Sequence, residues 1–279
     1  MKRVLVLIIF AFFSIDTAFP KPHYEKRKTA LITGSISGIG LSIAIEMAKA
    51  GYNVVLNGFG DVDAAVAQVS AFGTKVIYHG ADLRNPAEIK DMFRGIERTF
   101  DGLDVLVNNA GIQRVHPIEE FPVDEWNDII AVNLTASFLT TRLALPYFRK
   151  KGWGRIINIA STHGLVASVN KAAYVAAKHG IIGLTKVTAL ETADSDITCN
   201  AVCPGWVLTP LVQKQIEDRA RQKGASIEKE RRALVAEKHP SGKFVTPKEI
   251  AQVVIFLCTP AANQMRGSQL VIDGGWTAQ

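Results

Sequence analysis

Ser161, Tyr174 and Lys178 stand at intervals of thirteen and four residues within ASTHGLVASVNKAAYVAAKHG, residues 160–180. A hydroxyl, a phenol and an amine so spaced could move a proton. Tyr174 and Lys178 are one helical turn apart, so both side chains emerge on the same side of a helix. A tyrosine ordinarily titrates near about 10 and is a poor base at neutral pH, but a nearby cation favours the phenolate and lowers that value. The serine hydroxyl can hold the same substrate oxygen, which makes the trio suited to passing a proton to or from an alcohol or ketone. Each member also has a plainer use, since Tyr and Lys at helical spacing commonly form an amphipathic surface and Ser commonly caps a helix.

Positioning such a trio requires a framework, and the hydrophobic pattern supplies one. Apolar, β-rich runs at 29–33, 53–57, 75–79, 104–108, 155–160, 197–202 and 269–273 alternate with amphipathic stretches. In GLSIAIEMAKAG, residues 40–51, apolar positions recur at three and four residues and Gly51 supplies the stop. Near-continuous Val/Ile/Leu strands separated by helices predict an α/β fold, a Rossmann-type doubly wound parallel sheet with helices on both faces. No linker rich in Pro, Gly or Ser divides 28–279 and no internal repeat is evident, so this stretch reads as one domain. Ser161 closes the fifth run, at the carboxyl edge of the sheet where ligands bind in doubly wound folds.

The first run leads into TGSISGIG, with Gly34, Gly38 and Gly40 at a strand-to-helix turn. Glycines there let the backbone approach a pyrophosphate, while the free amides and dipole of the helix N-terminus attract its charge. A tight turn with close helix packing would use the same residues, but a position after the first strand of an alternating chain favours a dinucleotide. Such a site usually places an acid near the end of the second strand for ribose hydroxyls, or a base there for a 2′-phosphate. Here that strand ends LNGFGD: Asn57 and Phe59 replace the acid, Asp61 lies slightly beyond, and no Lys or Arg occurs between positions 51 and 74. NAD is favoured over NADP by the missing cation. Asn57 would also serve as a turn residue.

These motifs, joined by ADL at 81–83, NNAG at 108–111, Asn133 of VNLT, YVAAK at 174–178 and CPGWVLTP at 203–210, resemble the short-chain dehydrogenase/reductase family over essentially all of 28–279. The resemblance implies that Gly34, Ser37, Ile39 and Gly40 line the pyrophosphate and ribose of a nicotinamide cofactor. It places Phe59, Asp82 and Leu83 around the adenosine and Asn109, Ala110 and Gly111 at the cofactor ribose, with Pro204, Gly205 and Val207 completing the site. Tyr174 would be the catalytic acid/base, Ser161 the oxygen binder, Lys178 the phenolate stabiliser and ribose ligand, and Asn133 the anchor of a proton-relay water. Asn133 would otherwise be a polar break within a helix.

Less generic segments, among them LNGFGD, NNAGIQ, IASTHGLVAS, NKAAYVAAKHG, CPGWVLTPLVQKQI and VIDGGWT, are similar to a bacterial branch of that family. That branch interconverts a short (R)-3-hydroxy acid and its 3-keto acid with NAD. The similarity implies that Gln113, His163, Lys171 and Gln215 surround the substrate carboxylate while Trp206 and Trp276 shape a small pocket, and that the enzyme is a homotetramer. Thr162 departs from the alanine expected there. Lys171 precedes Tyr174 by three residues, which sets its amine on the phenol's side of the helix, and donors from Lys, His and Gln can hold a carboxylate. Lys171 would otherwise be a solvated helix terminus, and each tryptophan a core or interface aromatic. The mixed-charge stretch 208–240 would close over the substrate as a lid, or form a surface helix pair. A reductase acting on an acyl-carrier-protein thioester, and a cofactor-sensing module without catalysis, are the competing readings.

Composition is consistent with this reading: of 279 residues, 48% are hydrophobic and 21% charged, an ordinary globular balance. Of the net charge of +6, half falls in the first 27 residues, and nothing after Lys28 clusters basic residues as a nucleic-acid footprint would. Three cysteines, Cys199, Cys203 and Cys258, fit neither a disulfide framework nor a metal-ligand spacing, so a reducing compartment and no metal are expected. Residues 1–27 form a separate extension: Lys2 and Arg3 precede an apolar run resembling the start of a secretory signal. A cleaved signal, a membrane-associated tail and an upstream start that adds unused residues are all open, and an enzyme body working in the cytoplasm is the expectation.

Overall fold

The structure, a computed structural model, describes residues 27–279, so the extension lies outside the described residues apart from Arg27. Seven strands form one sheet: β1 (Thr29–Ile32), β2 (Asn53–Asn57), β3 (Val76–His79), β4 (Val105–Asn108), β5 (Trp153–Ile159), β6 (Asp196–Pro204) and β7 (Gln269–Ile272). Their order is β3-β2-β1-β4-β5-β6-β7 and every pairing is parallel. Chain order reverses at β1, which creates the crevice between β1 and β4 at the carboxyl ends of the strands.

Period-two alternation explains why both faces are covered. Ala30, Ile32, Val54, Leu56, Val105 and Val107 pack on one side with helices α1 (Gly38–Lys49), α2 (Val62–Ser70) and α9 (Pro247–Leu257). Leu31, Val55, Leu106 and Ile156 pack on the other against α3 (Pro86–Phe100), α5 (Ala136–Lys151) and α6 (Ala172–Glu191). The central strands are predominantly apolar because both of their faces meet helices. Helix α4 (Val123–Ile130) runs through one π turn, Ala131–Thr135, into α5. Two further helices, α7 (Pro210–Lys223) and α8 (Ile227–Ala236), occupy the expected 208–240 stretch.

Polar ties cross the core where the site must be held. Thr140 Oγ1 donates to Asn108 Oδ1 at 2.7 Å, Asn108 Nδ2 to Asn158 Oδ1 at 2.9 Å, and Asn158 Nδ2 to Thr185 Oγ1 at 2.8 Å. This chain of buried bonds links α5, β4, β5 and α6 and fixes their mutual register, since breaking any member would strand a buried polar group.

Candidate active site

Loops at the carboxyl ends of β1, β3, β4, β5 and β6 converge on two adjoining depressions. The larger, about 540 Å³, is lined by the glycine turn after β1, by Phe59, Asp82 and Leu83, and by Asn109, Ala110 and Gly111. Ser37 caps α1 without a side-chain hydrogen bond, so the first-turn amides have no side-chain cap there. A Cβ on Gly40 would collide with the Gly34 carbonyl and the Asn109 side chain, and Gly34, with φ +61°, would bring one within 2.8 Å of Ala110 Cα. The cradle is therefore shaped by backbone, as a pyrophosphate ligand requires.

Two amides that sequence alone leaves ambiguous are committed to this cradle. Asn57, 1% exposed, donates from Nδ2 to the carbonyls of His79 and Ala81, both at 3.0 Å, and so serves as a tie between loops. Asn109 donates from Nδ2 to the carbonyls of Thr33 and Gly34, both at 2.9 Å. Two cations also line the cleft, Arg84 and Arg114, from loops beyond the cation-free stretch that follows the second strand. Arg84 is already engaged, at 2.7 Å with Asp82 and 3.2 Å with Asp128, and its hydrogen bonds hold the Asp82 carboxyl below its usual value. Arg114 lies 3.9 Å from Glu125.

The smaller depression, about 240 Å³, brings together Gln113, Ser161, Thr162, His163, Lys171, Tyr174, Lys178, Pro204, Gly205, Trp206, Val207 and Trp276, and shares Ile39, Asn109 and Gly111 with the larger cleft. Extended backbone at Ser161 ends β5 and starts the 3-10 turn Thr162–Gly164, with Ser161 Oγ accepting from the His163 amide at 3.1 Å. That turn lies against α6: a Cβ at Gly164 would fall 2.8 Å from the Lys178 carbonyl. Ser161 hydrogen-bonds the Tyr174 phenol. Lys178, 4% exposed, donates from Nζ to the Ile159 carbonyl at 2.8 Å, and its amine stands 5.6 Å from the Tyr174 ring centre.

The electrostatics correct one expectation. The Tyr174 phenol is not brought down towards neutrality; burial pushes it above its usual value, and the Ser161 hydrogen bond only partly opposes this. Burial acts on the neighbouring amine in the opposite sense and lowers Lys178 to about 8. Both shifts disfavour charge in a dry pocket. His163 is lowered to about 4 by burial and then by Lys171 and Lys238, so its ring is neutral at physiological pH. The ring meets Tyr174 and Trp276 edge to face at 5.9 and 5.2 Å, and its Nε2 lies 3.0 Å from Ser168 Oγ. Lys171 holds its amine 5.5 Å over the Trp206 ring, and burial and Lys238 lower its value too. The Thr162 hydroxyl and the Trp206 indole nitrogen are buried without a partner among the described residues.

Two expected residues sit differently. Gln215, exposed on α7, faces a separate cavity on α7 and α8 with Asp218, Arg219 and Glu237, and reaches the substrate pocket's wall only through the shared Trp206. A helix placed one residue set outside the pocket cannot be distinguished by sequence from one facing in. Asn133, 1% exposed in the π turn, pairs its amide with the Ile112 backbone, accepting at 2.8 Å and donating at 3.0 Å. Its side chain thus fastens the Gly111–Gln113 segment. His239 and Lys238, beside the pocket's Trp276, belong to no sequence motif that would mark them.

The sequence pattern described as short chain dehydrogenase matches residues 28–220, and the chain belongs to that family. Over 254 residues it is 60% identical to a D-beta-hydroxybutyrate dehydrogenase of Cupriavidus necator, covering 90% of this chain and 98% of the relative. It is 55% identical over 258 residues to the D-beta-hydroxybutyrate dehydrogenase of Rhizobium meliloti, covering 90% and 99% respectively. Among solved structures, an actinorhodin polyketide ketoreductase crystallised with NADPH superposes with a TM-score of 0.85 at 35% identity, over 91% of this chain and 98% of that one.

The depressed His163 ionisation has a consequence for stability. Below pH about 6.5 the unfolded chain binds a proton at this residue, whereas the folded protein does so only near pH 4. Stability is therefore lost as pH falls through that interval and levels below it. Urea midpoints between pH 7 and 4 should fall less for His163→Gln than for the parent; parallel curves would show that His163 does not carry the effect.

Proposed function

We propose that the protein catalyses the reversible, NAD-dependent interconversion of (R)-3-hydroxybutyrate and acetoacetate. The observation that carries this reading is a pocket in which lysine, histidine and glutamine residues surround the Ser161–Tyr174 pair while, among the described residues, no Asp or Glu lines the wall. A small acid whose keto oxygen meets Ser161 and whose carboxylate meets Lys171 satisfies both ends of that pocket. The identity to two D-beta-hydroxybutyrate dehydrogenases supports the same substrate.

The residues present fit a nicotinamide dinucleotide. Gly34, Ser37, Ile39 and Gly40 would hold its pyrophosphate, Phe59, Asp82 and Leu83 its adenosine, Asn109, Ala110 and Gly111 a ribose, and Pro204, Gly205 and Val207 the nicotinamide side. When bound, the cofactor gives or takes the hydride. NAD is preferred because both arginines of the cleft already face carboxylates, and an added 2′-phosphate would meet Asp82 and Asp128 along with Arg84.

In reduction, Ser161 holds the keto oxygen and Tyr174 releases its phenolic proton to it; oxidation returns the proton to Tyr174. A buried phenol is a reluctant acid, so Lys178 and Ser161 must stabilise the anion it leaves. With the Asn133 amide occupied by Ile112, a relay water would have to be held by main-chain groups and not by that side chain. Neutral His163 donates to the substrate through one ring nitrogen. Helices α7 and α8 are joined by Glu230, 2.9 Å from Lys223 and 3.4 Å from Arg219, so a lid built from them moves as a pair and can carry Gln215 with it.

A homotetramer is supported by exposed apolar residues on the outer helices: Phe138 on α5 and Val187 and Leu190 on α6. An enzyme body working in the cytoplasm is supported by free thiols at Cys199, Cys203 and Cys258, all pushed upward chiefly by burial and so held as unreactive thiols. The competing acyl-carrier-protein substrate would present a neutral thioester where Lys171 stands, leaving the amine without an anion.

Tyr174→Phe should lower turnover by about 10²- to 10⁴-fold while NADH affinity, followed by fluorescence, stays close to the parent's. Near-normal turnover would refute the assignment. Lys171→Ala removes a charge-assisted hydrogen bond worth about 1.5–3 kcal/mol, so kcat/KM for acetoacetate should fall by about one to two powers of ten. An equal loss for a neutral short-chain ketone would show that Lys171 is structural.

A further inference from the structure

Lys171 begins α6 and Lys238 follows the end of α8, yet the fold stands their amines at equivalent places beside one pocket. Each lies over an indole that lines it, Lys171 5.5 Å from the Trp206 ring centre and Lys238 5.4 Å from that of Trp276. Trp276 in turn packs edge to face on His163 at 5.2 Å. Among the described residues neither amine has a hydrogen bond or an ion pair. Elsewhere on the α7–α8 pair the carboxylates are already taken: Arg219 binds Glu237 at 2.7 Å and Lys223 binds Glu230 at 2.9 Å. Glu237, adjacent to Lys238 in the chain, is turned away to Arg219.

The backbone beneath Lys238 is fixed from the substrate side. The next residue, His239, is 1% exposed; its Nε2 accepts from the Trp206 amide at 2.7 Å and its Nδ1 donates to the Lys243 carbonyl at 2.8 Å. One ring nitrogen accepts and the other donates, so the ring is the neutral Nδ1–H tautomer and binds the end of β6 to the turn after α8. These contacts anchor the residue that follows Lys238, whose amine lies 5.4 Å from the Trp276 ring centre.

Two half-buried amines gathered without an anion repel one another, and Lys238 contributes to the lowering of both Lys171 and His163. A single carboxylate placed between the tryptophans removes that repulsion. We propose that Lys238 is a second cationic specificity determinant, acting with Lys171 to select a substrate that ends in an acid group. The proposal rests on the carboxylate reading given above and extends it from one cation to two.

The test compares kcat/KM for acetoacetate and its uncharged ethyl ester, with NADH, in the parent, Lys238→Met, Lys238→Arg and Lys171→Ala. The acid-over-ester ratio should fall about 3- to 10-fold in Lys238→Met, through a higher KM for the acid, and return in Lys238→Arg. Added salt should erode the parent's ratio more steeply than that of Lys238→Met. A ratio that falls in Lys171→Ala but holds in Lys238→Met would overturn the role of Lys238 and leave the carboxylate reading standing. A ratio that moves in neither would overturn both. Equal losses for acid and ester in Lys238→Met, unrestored by Lys238→Arg, would mark a purely structural residue and also overturn the proposal.

Discussion

The buried hydrogen bond from Lys178 to the Ile159 carbonyl is the contact on which the site depends. It joins the last residue of β5 to the middle of α6, and so places the strand that carries Ser161 against the helix that carries Tyr174. The close approach at Gly164 allows the intervening turn to fit beneath, and the Asn108–Asn158–Thr185 chain holds the same two elements one layer deeper. Serine, phenol and amine are thus positioned by backbone and core contacts that would exist without any ligand, which is the preorganisation that proton transfer requires.

Burial gives this arrangement its chemical character and its cost. A dry pocket raises the phenol and lowers the amine, so neither prefers to be charged alone. The same environment keeps His163 neutral and, with Lys238 nearby, weakens the hold of Lys171 on its proton. With no carboxylate in the wall, the cations are compensated only by what binds there. Substrate selection and catalytic electrostatics therefore have one origin: a half-buried, amine-bearing cavity with no resident anion among the described residues.

Most of the framework was legible in the sequence because strands covered on both faces are rich in Val, Ile and Leu, and all seven runs match strands to within a few residues. The glycine turn and the Ser161–Tyr174–Lys178 spacing were legible for a similar reason, since backbone approach and helical periodicity leave local signatures. Side-chain commitments were not. Whether Asn57, Asn109 and Asn133 face a ligand or a carbonyl depends on loops 20 or more residues away. Arg84 carries no local sign in the sequence because its cleft position arises from β3 pairing with β2, not from proximity to the second strand's end. Gln215 carries the right chemistry on a helix whose orientation no periodicity specifies, and Lys238 and His239 acquire their places only when the end of α8 meets the end of β6. The rise of the Tyr174 ionisation belongs to the same class, because the depth of burial is a property of packing.

The central claim is that this pocket holds an acid group beside the proton-transferring pair and serves a cofactor without a 2′-phosphate. Side-by-side kcat/KM values for acetoacetate and for a neutral 3-oxoacyl thioester, each with NADH and NADPH, address it most directly. The account predicts acetoacetate with NADH ahead of the other three combinations, by roughly a hundredfold or more over the thioester with NADPH if the charge-assisted contact to Lys171 is made. Higher efficiency with the thioester and NADPH would contradict it.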